Sequence, residues 1–189
     1  MLDSLYRKLE TKATWAIVVL LFVAYTFCNA GFEWRRNSLG CENKPLDGRM
    51  EMYCPGEVVS LFKTLENTKF KLYATTEITK LNLYAITELT LDIVFPFVYL
   101  MLLVFLIVRL YSAEKAKYLI LIPIFAALAD LSENFTVAYL AFTFDGSRSP
   151  IMYLAVTFTL LKTALLLISL GILVVGAISS LRQNKNATE

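Results

Sequence analysis

Asp92, Asp130, Glu133, Asn134 and Lys162 lie inside long apolar stretches of this 189-residue chain. Carboxylates can accept protons, bind cations or act as general acid and base, and a lysine ammonium can pair with them. Asp130, Glu133, Asn134 and Val137 recur at helical spacing and share one face. Pro96 follows Asp92 by four residues. Proline has no N–H and clashes with the carbonyl four positions back, so a helix here frees the Asp92 carbonyl. Tyr99 shares the face of Glu88, Asp92 and Phe95. The chain has no histidine, which removes the commonest pH switch and transition-metal ligand. Haem, zinc-hydrolase and Ser-His-Asp readings fall with it, and no cofactor is expected. The acid pair Asp130/Glu133 could hold a hard divalent cation, and the metal question stays open at this point.

The elements that must position these groups are four apolar runs: 15–32, 86–108, 118–144 and 151–181. Crossing a bilayer core takes about 20 residues. Hydrophobic residues make up 57% of the chain and mean hydropathy is +0.59, against about 45–50% apolar residues in a soluble domain. The expected fold is all-α: a four-helix transmembrane bundle with a small disulfide-linked helical insert between the first and second helices. The expected divisions are an interfacial segment (1–14), the first transmembrane helix (15–32), an extracytoplasmic insert (33–83), and helices two to four with a short tail (84–189). A net charge of +2 is too small to argue for nucleic acid.

Lysine and arginine in short flanks set orientation. Arg7, Lys8 and Lys12, then Arg109, Lys115 and Lys117, then Arg182 and Lys185 place both termini in the cytoplasm and the insert outside. The first run reads as an uncleaved anchor rather than a signal peptide, with Glu33-Trp34-Arg35-Arg36 as an interfacial collar. Leu2, Leu5, Leu9 and Ala13 oppose the basic residues of the N-terminus, as in an interfacial helix. Cys41 and Cys54 in an outer loop are expected to form a disulfide. Within the insert, Val58, Leu61, Phe62 and Leu65 suit a helix with Pro55 in its first turn. Residues 70–83 carry both periods, and a helix is the favoured reading.

The rise of about 1.5 Å per residue gives depths. Asp92 lies roughly 9 Å below the outer boundary, Glu133 and Lys162 roughly 16 Å, and Asp130 roughly 21 Å. Three helices thus bring their charges to neighbouring levels. Three acids against one base leave an excess of two negative charges, which a held proton, a bound cation or a cationic ligand group can resolve. Lys162 is expected to pair with Asp130 or Glu133.

The ordered set Asp92-x-x-x-Pro96-x-x-Tyr99, Asp130-x-x-Glu133-Asn134 and Thr159-x-x-Lys162 resembles a family of small bacterial four-helix integral membrane proteins without an assigned function. The resemblance runs from the insert to the fourth helix. It implies four helices, a bacterial inner (plasma) membrane location, and one shared site at these positions. It supplies no substrate.

The functional expectation is a multi-pass membrane protein whose buried acid/Lys/Asn cluster binds a proton, a cation or a small polar or lipid-headgroup ligand from the outer side. The alternative is a structural or assembly subunit of a membrane complex, with the cluster fixing helix packing. The expected partners are the lipid bilayer, that ligand, and a membrane protein in the second case. An enzyme acting on lipid is less favoured. Phosphate chemistry wants more cationic clamping than one lysine supplies, and the chain offers no compelling nucleophile.

Overall fold

The structure is a computed structural model that describes residues 2–40, 46, 54–73 and 76–186. Eight helices and one hairpin follow in chain order among the described residues: α1 (Leu2–Lys12), α2 (Trp15–Leu39), α3 (Pro55–Glu66), β1 (Lys69–Tyr73), β2 (Thr76–Thr79), α4 (Lys80–Glu88), α5 (Leu91–Leu110), α6 (Ala113–Leu119), α7 (Leu121–Phe142) and α8 (Ile151–Asn186). The segments Trp15–Leu39, Lys80–Leu110, Ala113–Phe142 and Ile151–Arg182 are long and apolar enough to cross a membrane. The all-α, four-span reading therefore holds at that level.

Local chemistry explains the boundaries. Thr14 caps α2 by accepting from the Ile17 N–H at 3.4 Å. Gly40 ends it in the left-handed region at φ 61°, a conformation glycine adopts without a Cβ penalty. The Lys80 ammonium then donates to the Leu39 carbonyl at 2.7 Å, supplying one of the donors a helix C-terminus lacks. Pro55 opens α3 where a missing N–H costs nothing. Pro123 stands third in α7, just after the interruption at Ile120 that separates α6 from α7. Its clash with the Leu119 carbonyl accounts for that interruption.

Three expectations are corrected. Lys69–Tyr73 and Thr76–Thr79 form an antiparallel hairpin, with Lys69 opposite Thr79 and Phe70 opposite Ile78, where a helix was expected. The period of two across Phe70, Leu72, Thr76 and Ile78, with β-branched threonines, prevails there, and Thr79 caps the helix that follows. The first span continues past residue 32 to Leu39, so Arg35 belongs to the helix rather than to an interfacial collar. The described residues contain no disulfide: Cys54 is a free, exposed thiol, and Cys41 lies outside the described residues. Cys54 instead starts α3, its N–H donating to Glu57 Oε2 at 3.2 Å.

The helices pack in a chain of neighbours. α7 lies along α8, α5 packs on both, and α2 packs on α4 and α5. One apolar core joins α3, α4 and the ends of α7 and α8 next to their connecting turn through Phe62, Leu65, Tyr84, Leu140 and Met152. A second core joins α1, α2, α5 and α6 through Tyr6, Val18, Phe105, Ile107 and Ile120. The buried ionisable groups lie on the residues between these two cores. Exposed Leu20, Phe27, Leu167, Val174 and Val175 on α2 and α8 suit faces turned to lipid.

Candidate functional site

The second span is broken at Leu89–Thr90, between α4 and α5. The break puts Glu88 at the end of one helix and Asp92 in the first turn of the next. Both acids are buried, and both face Arg35 of α2. The Arg35 guanidinium hydrogen-bonds to Asp92 Oδ2 and lies 3.7 Å from Glu88 Oε1. The rings of Phe32 and Tyr84 flank it at 5.1 and 5.7 Å from their centroids. Arg35 is only 2% exposed. A guanidinium so far from water needs such partners, since an isolated buried charge is prohibitively costly.

A second triad spans α7 and α8. Lys162 Nζ lies 2.5 Å from Glu133 Oε2 and 3.1 Å from Asp130 Oδ1. The expectation was pairing with one of these acids; the ammonium bridges both. Thr159, one turn before Lys162, donates to Glu133 Oε1 at 2.7 Å, with the Ala155 carbonyl a second acceptor at 3.0 Å. Ala126 and Ala127 on the same face of α7 are buried and keep the helices close.

Asn134 joins the two triads. Its Nδ2 donates to the Asp92 carbonyl at 2.5 Å. This is the carbonyl that Pro96, buried inside α5, deprives of its helical donor. Tyr99, two turns after Asp92, brings its buried hydroxyl beside Asp130 and Glu133. Asp92, Pro96, Tyr99, Asp130, Glu133, Asn134 and Lys162 are thus buried on facing helices. Sequence reasoning missed Arg35 as a member, and it noted Glu88 only as a neighbour of Asp92. The one available signal was that Arg35 follows Phe32 and precedes Leu39 at helical spacing, which extends the apolar face beyond the assumed membrane edge.

With Arg35 and Glu88 included, the buried ionisable groups among the described residues are four acids and two bases. Each base bridges two acids, and the formal excess is again two negative charges. No three acids or thiols converge as a metal-ion ligand set among the described residues. A cleft of about 310 Å³ opens at the turn between α7 and α8, lined by Thr143, Phe144, Asp145, Arg148 and Met152 among others. It includes none of the cluster residues.

No protein-family model, curated protein or solved structure matches this chain.

Proposed function

We propose that this is a multi-pass membrane protein whose buried acid–base cluster takes up a small positive species, a proton or a cation, reached from the outer side. The observation that carries this reading is the stoichiometry of each triad: one base between two acids, at Arg35 and again at Lys162. One base neutralises one acid, so each triad, counted among the described residues, holds a surplus charge in a medium that penalises it. A lipid headgroup fits less well, because the cluster residues are buried beside an apolar core. The orientation with both termini cytoplasmic, and the likeness to small bacterial inner-membrane proteins, belong to the same proposal.

The alternative is an assembly or packing role. The Asn134 bond to the Asp92 carbonyl favours it, since that contact fixes α7 against α5 without any ligand. The two readings separate by experiment. In lipid nanodiscs, the unfolding midpoint of the wild-type chain should respond to pH or to added monovalent cations. Asp130→Asn and Glu133→Gln should accumulate normally in the membrane and lose that response. If both variants keep the full response, the binding reading is wrong. If both are depleted from the membrane, the packing role gains.

A further inference from the structure

We propose that the cleft at the turn between α7 and α8 is a second binding site, which takes the phosphate and the ammonium of a zwitterionic phospholipid headgroup. This site is separate from the buried cluster and stands whether or not that cluster binds a cation.

Position favours a lipid. Residues 143–150 join α7 to α8, and both helices belong to segments long and apolar enough to cross a membrane. A turn joining two such spans stands at a bilayer surface. Exposed Tyr139 and Tyr153 stand on the two helix ends beside it, a residue type that collects at headgroup level. The cleft of about 310 Å³ lies at the small end of ligand pockets, which run from about 300 to 1,000 Å³. It suits a headgroup whose acyl chains remain in the bilayer.

The lining holds its two charges apart. Asp145 and Arg148 both line the cleft, three residues from each other, and no ion pair joins them. The Ser147 N–H and hydroxyl donate to Asp145 Oδ1 at 2.9 and 2.6 Å, bonds that favour the ionised carboxyl. Its Oδ2 takes no part in them. Arg148 turns toward α3 instead, with Nη2 3.3 Å from where a Cβ on Gly56 would stand. That is the first turn of α3, the positive end of a helix dipole, which gives a guanidinium no compensation. Lys63 of α3 also reaches the turn, with Cε 3.9 Å from where a Cβ on Gly146 would stand. It strengthens the field that draws in a phosphate.

A phosphodiester accepts the two parallel N–H bonds that a guanidinium offers. A primary ammonium donates to a carboxylate. A headgroup carrying both groups satisfies Arg148 and Asp145 together and leaves the net charge of the cleft unchanged. A soluble zwitterion offers the same two charges, but only the lipid is concentrated at the bilayer surface where the cleft opens.

Native mass spectrometry of the full chain in detergent tests this. The protein is titrated with phosphatidylethanolamine, phosphatidylglycerol or soluble phosphoethanolamine, and bound molecules are counted. The expected result is one saturable site that prefers phosphatidylethanolamine. Arg148→Gln should weaken both lipids by about tenfold, the scale of one charged hydrogen bond, and Arg148→Lys should recover part of that loss. Asp145→Asn, which keeps an oxygen acceptor for Ser147, should weaken phosphatidylethanolamine alone and abolish the preference. Both positions are exposed, so the lipid-free variants should unfold at the wild-type temperature. Wild-type affinities in Arg148→Gln and Asp145→Asn would overturn the site. Tighter binding of phosphatidylglycerol than of phosphatidylethanolamine would overturn the zwitterionic assignment. Saturable binding of soluble phosphoethanolamine without either lipid would overturn the lipid as its ligand.

Discussion

At the residue scale the most exacting contact is the one between Asn134 and the Asp92 carbonyl. Pro96 creates an unmet acceptor and Asn134 meets it. Asn134→Leu should cost about 1–3 kcal/mol, the usual penalty for an orphaned buried acceptor. Adding Pro96→Ala restores an N–H four residues after Asp92, so the double variant should recover most of that loss. Equal unfolding free energies for the single and double variants would break the link. Arg35 makes a harsher prediction. Arg35→Ala leaves Glu88 and Asp92 buried without their base, and breaking such a site costs about 3–5 kcal/mol. An effect under about 1 kcal/mol, the range of exposed pairs, would mean that water reaches the triad. Sequence alone showed what Pro96 would do and which acids share a helical face, because both follow from backbone covalent geometry. It did not show Arg35, because a guanidinium three residues past an apolar run normally reaches for water. Only the packing of α2 against the break between α4 and α5 supplies its partners.

At the scale of elements, the approach of α8 to the end of α5 depends on Gly176. A Cβ there would come within 2.7 Å of the Tyr111 ring and 3.1 Å of Leu110. Tyr111 also donates to the Ile172 carbonyl at 2.6 Å. Gly176→Ala should therefore lower the unfolding midpoint, and pairing it with Tyr111→Ala should relieve most of the clash. Additive losses would show that α5 and α8 do not meet there. The turn between α7 and α8 has its own pH dependence. The Ser147 hydroxyl and N–H both donate to Asp145 Oδ1, at 2.6 and 2.9 Å, holding the Asp145 carboxyl below its ordinary range. A depressed carboxylate stabilises the fold above its unfolded pKa, and that contribution is lost as pH falls through the folded value. Protection of the Ser147 amide in hydrogen exchange, corrected for intrinsic rate, should hold at neutral pH and fall in acid. Protection unchanged through the acid range would contradict the assignment. The helical spans were legible from apolar run length, whereas the hairpin at Lys69–Thr79 was not. Its segment carries both periods, and the threonine-rich alternation decides only once Thr79 is free to cap α4.

At the scale of the whole molecule, the cluster lies between two apolar cores. Orientation is testable through Cys54, an exposed free thiol. A membrane-impermeant maleimide applied to intact cells should label Cys54 if the insert faces outward. Labelling only after lysis would invert the topology, and labelling only after reduction would reinstate a bridge to Cys41. The central claim is that buried acids outnumber bases and that positive charge from the medium makes up the difference. Potentiometric titration of the nanodisc-embedded chain, wild type against Asp130→Asn, counts that uptake directly. The wild type should bind more protons or monovalent cations per chain than the variant over the same pH and salt range. Identical uptake curves for the two proteins would contradict the account.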